Sequence, residues 1–162
     1  MHETTLIYTE ALVKRAVLRY WRRTLGVGYA IALLMVIASF GALMVLETDL
    51  WILAALGGTI VLAVGFSIVV YAVHYSSSMG RFRRMEVPAA RFIADEDTFA
   101  FVSPIGEAKL RWSVIRELWR YEDLWLILYA QGGFNVVPVG DVPQPMRDFI
   151  EARVAAAGGK LR

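Results

Sequence analysis

The side chains best able to do chemistry are few and scattered. His2 and His74 are the two histidines, and there is no cysteine. A thiolate zinc site, an iron–sulfur cluster, a disulfide scaffold and a cysteine nucleophile are therefore excluded. Asp95-Glu96-Asp97 gathers three carboxylates. It lacks the longer oxygen-rich loop of a calcium hand, so a solvated turn is expected. Ser76-Ser77-Ser78 has no base nearby in sequence to activate a hydroxyl. Gly57-Gly58, Gly106 and Gly132-Gly133 fit neither a phosphate-cradling nor a dinucleotide-binding pattern. Trp119, Tyr121, Trp125 and Tyr129 could stack bases or a peptide, but such a stripe in a small β-domain is expected to be core. The residues thus point to a non-enzyme with no catalytic group, no metal site and no cofactor.

Two apolar runs dominate the elements that must position these residues. The chain has 162 residues, of which 57% are hydrophobic and only 20% charged. Leu25 to Leu46 carries no charge, and Leu50 to Gly80 carries none if His74 is neutral. A bilayer core needs roughly 20 apolar residues as helix. This predicts two spans, 25–46 and 51–73, within a segment 24–80. A small domain could not cover two such helices on every side as buried core. Glu47-Thr48-Asp49 leaves room only for an antiparallel helical hairpin. Trp51 at one end and Tyr71 and Tyr75 at the other suit the two interfaces. The first run is too long, and starts too late, for a cleaved signal peptide. Neither span holds Asp, Glu, Lys or Arg, which argues against a stand-alone channel or transporter. Gly28, Ala32 and Ser39 in span one, and Ala54, Gly58 and Gly65 in span two, recur at helical spacing. They are candidates for a helix-packing seam, either closing the hairpin or forming a homo-oligomer.

Orientation follows from the basic residues. Lys14, Arg15, Arg19, Arg22 and Arg23 precede span one, and Arg81, Arg83, Arg84 and Arg91 follow span two. Lys and Arg are retained on the cytoplasmic side, so both termini are expected there. All but Arg91 are candidates for contact with the surface of the lipid bilayer. Residues 1–23 read as a short strand and then a helix with Val13, Ala16, Val17, Tyr20 and Trp21 on one face. That helix either lies on the leaflet or packs its apolar face on the C-terminal domain.

Residues 81–91 read as a basic linker, and 92–162 as a small β-domain ending in a helix. The strands are short, alternate in polarity and turn at Asp95-Glu96-Asp97, Glu122-Asp123 and Gly132-Gly133. Trp112-Ser113-Val114-Ile115 reads as a turn packing an indole inward. Met146, Phe149, Ile150, Arg153, Val154 and Ala157 share one mostly apolar face of the final helix, which Gly158-Gly159 ends. The pI near 9.0 comes from residues flanking the apolar runs, since 92–162 has eight basic and ten acidic side chains. No nucleic-acid partner is expected.

The order of elements resembles the YcxB-like family of bacterial membrane proteins. The residues that carry it are Tyr8-Thr9-Glu10, Trp112-Ser113-Val114-Ile115, Leu124–Leu128, Phe134–Pro138 and Phe149. The resemblance implies a bacterial inner-membrane protein whose cytoplasmic domain is similar to a pleckstrin-homology fold, two bent antiparallel sheets with a C-terminal helix. The expected class is thus membrane α+β, a transmembrane hairpin plus an antiparallel β-domain. Residues 92–162 supply about five strands, so the N-terminal strand is expected to complete the sheet. The expected function is a membrane-anchored interaction or regulatory domain with a protein or peptide partner. The alternatives are a lipid-sensing membrane-surface protein and an auxiliary subunit of a transporter or membrane enzyme.

Overall fold

A computed structural model describes residues 1–46 and 49–162. Glu47 and Thr48 of the expected acidic turn lie outside the described residues. The chain forms two compact units, Met1–Ala16 with Ser78–Arg162, and Val17–Ser77.

The first unit is a β-domain. One sheet has the order β1 (His2–Ile7), β2 (Ala89–Ala94), β3 (Thr98–Ser103), β4 (Gly106–Arg111), all antiparallel. The other has the order β7 (Phe134–Pro138), β6 (Leu124–Tyr129), β5 (Ile115–Arg120), β8 (Lys160–Leu161). Side chains alternate across a strand, so Phe92 with Ala90 and Ala94, and Phe99 with Phe101, point inward together. Leu6, Leu118, Ile127 and Val137 meet them in one core. Trp112 opens a 3-10 turn between the sheets and is buried, as its position after an alternating strand predicts.

The N-terminal strand does join the sheet. Its six residues pair with β2, from His2 opposite Ala94 to Ile7 opposite Ala89. The Ile7 N–H donates to Asp141 Oδ2 at 2.7 Å, which satisfies one donor at the end of β1.

Six strands, rather than about five, follow the apolar runs and precede the last helix. A further strand, β8, comes after that helix and was not expected. Two residues are too short to show alternation. The helix α3 (Gln144–Ala156) packs Met146, Ile150 and Val154 against the core. It ends with Gly158 at φ 85°, whose N–H meets Ala155 O at 3.0 Å, while Gly159 N–H meets Val154 O at 2.9 Å. This paired closure turns the chain back as a glycine-dependent helix stop. The tail then runs parallel to β5, with Arg162 N–H on Leu118 O and Arg120 N–H on Arg162 O. A Cβ at Gly159 would lie 2.7 Å from Val154 Cγ1 and 3.0 Å from Ile115 O. Gly159→Ala should therefore cost about 1–3 kcal/mol through overpacking. Denaturant unfolding would read this, and a cost below about 0.5 kcal/mol would contradict the tight approach.

In the second unit two helices run antiparallel. The first, α1 (Glu10–Val45), enters it at Val17, and the second, α2 (Leu50–Arg83), leaves it at Ser77. α1 is broken at Gly26 (φ 74°, ψ 165°), one residue into the first predicted span. α2 continues past the second span, and β2 begins at Ala89, so 81–91 is a linker only between Arg84 and Pro88. Both helices are long and apolar enough to cross a membrane. None of the most apolar stretch of α1, and 6% of that of α2, is buried. A core helix of a soluble protein would be covered instead.

The helices do not meet through the expected small residues. Gly28, Ala32, Ser39, Ala54 and Gly58 are exposed and Gly65 is only half-buried. Nothing lies within 4 Å of a Cβ built on Gly28, Gly58 or Gly65. Larger side chains make the contact instead. Tyr29 Oη donates to Ala63 O at 2.6 Å and lies 2.6 Å from Ser67 Oγ. Trp21 Nε1 donates to Ser67 O at 2.9 Å, and its ring packs edge-on to Tyr71. Phe40 lies over Gly57, whose Cβ would be 3.5 Å from the ring. Satisfied polar groups and aromatic rings hold a pair that small-residue packing does not.

Candidate functional site

Among the described residues, no three of His, Asp and Glu gather as metal ligands. His2 instead stacks on Phe149 at 4.6 Å, and His74 packs edge-on to Tyr20 at 4.7 Å. Asp95-Glu96-Asp97 closes the β2–β3 turn, with Asp95 N–H on Thr98 O at 2.8 Å. Glu96 is paired with Arg153, which also sits over the Phe149 ring at 5.0 Å. Of the aromatic stripe, Trp119 and Trp125 are buried, and Tyr121 and Tyr129 half-buried. Trp119 Nε1 donates to Glu117 Oε2 at 2.7 Å, and this bond holds the Glu117 carboxyl below its usual range, aided by Arg162.

The basic candidates divide. Arg15 binds Asp123 at 3.1 Å, and Lys14 pairs with Glu10 at 2.8 Å. The bond from Lys14 holds Glu10 below its ordinary range. Val13, Ala16 and Val17 are buried, and Tyr20 and Trp21 half-buried. The apolar face of this part of α1 is thus largely covered by the chain itself. Arg19 is half-buried, whereas Arg22, Arg23, Arg81, Arg83 and Arg84 are exposed.

A recess that the sequence did not signal opens in the first unit. It holds about 100 Å³ and is lined by Tyr8 after β1, Val13 of α1, Ser78, Arg81 and Phe82 near the end of α2, Met85 just beyond it, and Phe134 to Val136 of β7. Those segments are distant in sequence, and no local motif joins them. Tyr8 Oη donates to Val136 O at 3.2 Å. Burial pushes the Tyr8 hydroxyl well above the usual phenol range, with Tyr129 and Asp141 adding to the effect. Burial also raises Tyr129, while the Arg81 charge pulls the other way. Both phenols stay neutral near pH 7 and act as hydrogen-bonding groups.

The architecture defines a class before any comparison: a β-domain with two apolar helices inserted between its first two adjacent strands. Residues 94–152 match the model of the YcxB-like protein family, so this segment is similar to a YcxB-like domain. It runs from the end of β2 into α3 and excludes β1, both long helices and β8. Neither the curated proteins nor the solved structures give a match.

Proposed function

We propose that this chain is a membrane-anchored interaction module of a bacterial inner membrane, without enzymatic activity. Its β-domain is pleckstrin-homology-like and cytoplasmic, as are both termini. One observation carries the topology. β1 precedes the two apolar helices and β2 follows them, yet the strands are neighbours. A chain that inserts both helices must therefore keep both flanks on one side. The basic flanks choose the cytoplasm. The four-stranded antiparallel run, the following β5–β7 meander and the terminal helix support the fold reading.

The interaction role rests on β4. It is an edge strand, exposed along its length except for half-buried Leu110. Its outer backbone groups suit addition of a strand from a protein or peptide. Since the chain has no cysteine, single cysteines test the topology cleanly. Asp49→Cys should react with an impermeant maleimide in intact cells, and Thr5→Cys and Lys109→Cys only after lysis. Labelling of Lys109→Cys in intact cells would reverse the assignment. A photo-crosslinker at Lys109 should then give a discrete adduct with a second protein, and repeated recovery of the chain alone would sink the interaction role.

Self-association is a second reading, favoured by the outward-facing Gly28, Ala32 and Ser39 and Ala54 and Gly58. Gly58→Leu should then shift the detergent-solubilised chain to a smaller species by light scattering. An unchanged mass would count against it.

A further inference from the structure

The turn before β4 fixes which groups of this edge strand face outward. Pro104 and Ile105 alone join it to β3, with Ser103 opposite Gly106. A two-residue loop closes on a hydrogen-bonded pair, and the bonding then alternates along the ladder. Gly106, Ala108 and Leu110 therefore bond to β3, while Glu107, Lys109 and Arg111 turn their backbone N–H and C=O away from it. Side chains alternate with the same period of two, so those of Glu107, Lys109 and Arg111 share one face of the sheet. All three are exposed. The β3 residue opposite Lys109 is Ala100, and that opposite Arg111 is Thr98. Neither can neutralise a cation. Arg91 of β2 and Arg120 of β5, by contrast, pair with Glu3 and Glu151. Among the described residues no ion pair engages Lys109 or Arg111. Glu96 and Asp97 share an open recess with Arg111, and Glu96 is held there by Arg153. Lys109 is thus the stronger attractor of the two.

Charges on an edge deter indiscriminate strand pairing. A strand that brings the opposite charges removes that barrier, so the same residues select a partner. Antiparallel addition continues the order of the sheet and is the more stable kind. We propose that β4 takes an antiparallel strand of another protein, with carboxylates opposite Arg111 and Lys109 and a basic residue opposite Glu107. From its N-terminal end that segment reads acidic, apolar, acidic, apolar, basic. Its apolar residues fall opposite Leu110 and Ala108 on the other face, where Leu110 packs against the core. This rests on the reading of β4 as an interaction edge and adds the chemistry of the partner. The β4 of a second copy has one carboxylate, Glu107, and cannot face both cations at once.

The test titrates the full chain, in a neutral detergent, against labelled peptides read by fluorescence anisotropy. The matched peptide has the core Glu-Val-Glu-Val-Lys between threonines, and the reversed-charge peptide has Lys-Val-Lys-Val-Glu. The chain should bind the matched peptide about tenfold more tightly, the sum of its cross-strand ion pairs. Lys109→Glu with Arg111→Glu should reverse that preference. Arg116→Glu with Lys160→Glu makes the same charge change on the other sheet and should leave the preference within about twofold. Equal affinity for the two peptides, or equal effects of the two double variants, would overturn the proposal, because the attraction would then be absent or diffuse. If the double glutamate variant unfolds, Lys109→Gln with Arg111→Gln should bring the two affinities within about threefold, and an undiminished preference would overturn the proposal. An N-methyl group on the second glutamate of the matched peptide removes an N–H that faces β4 and should abolish most of the binding. Binding that survives it would sink the edge reading itself, whereas equal affinity for the two peptides, both sensitive to N-methylation, sinks only the charge rule. A photo-crosslinker at Lys109 that joins two copies of the chain, undisplaced by the matched peptide, would overturn the proposal in favour of self-pairing.

Discussion

Deleting Met1–Tyr8 should abolish cooperative unfolding of the β-domain, although those residues lie far outside the YcxB-like segment. β1 supplies a whole strand of the first sheet, paired at six positions with β2. Leu6 is fully buried in the common core. Thr4 and Ile7 bond to Asp141, and Tyr8 bonds to Pro88 O at 2.7 Å and to Val136 O at 3.2 Å. Removing the strand uncovers Phe92 and leaves the edge of β2 bare. Leu6→Ala alone should cost about 2–5 kcal/mol. A typical domain has only about 5–15 kcal/mol in total, so losing the entire strand should exhaust it. Glu3→Ala is the control: its pair with Arg91 is exposed and worth about 0–1 kcal/mol. Thermal melts followed by circular dichroism would check this. A deletion variant melting within a few degrees of the parent would show β1 to be dispensable.

Trp112→Ala should be the most damaging single change in the YcxB-like segment, at about 3–5 kcal/mol. The side chain is 3% exposed. Its ring lies 4.9 Å from Phe99 and 6.4 Å from Phe149, so it joins the first sheet to α3. Its Nε1 donates to Asp95 O at 2.9 Å and thereby fixes the acidic β2–β3 turn. Trp112→Phe separates the two contributions. It keeps most of the ring packing but leaves the turn carbonyl without that donor, at about 1–3 kcal/mol. Urea unfolding of the three proteins should rank them in that order. A cost below about 1 kcal/mol for the alanine variant would mean that the indole is not the link between sheet and helix.

How far the sequence reached depended on whether the deciding signal was local. The apolar runs were legible because no charge interrupts them for the length of a span. Trp112 was legible because it follows an alternating strand and precedes a turn. The inward face of α3 was legible from Met146, Ile150 and Val154 at fourfold spacing. The helix seam was not, because a helix apolar all round shows no preferred side. Small residues drew attention to Gly28 and Gly58, while the bonds that join the pair run from Tyr29 and Trp21 to Ala63 and Ser67. β8 was hidden because its position depends on the Gly158-Gly159 reversal rather than on its own pattern. The recess was invisible because Tyr8, Arg81 and Asn135 belong to three distant segments. Of the site, only the basic character of Arg81 could be read, and the burial of its neighbours could not.

The adjacency of β1 and β2 also sets an order of events during synthesis. Ile7 leaves the ribosome 82 residues before its partner Ala89. At about 5–20 residues per second the wait is about 4–16 s. Throughout that interval β1 has no strand to pair with, and both apolar helices emerge before one exists. Completion of the β-domain therefore comes after both helices have emerged, and a chain stalled at that step would carry an unpaired strand edge with every residue of β1 already made.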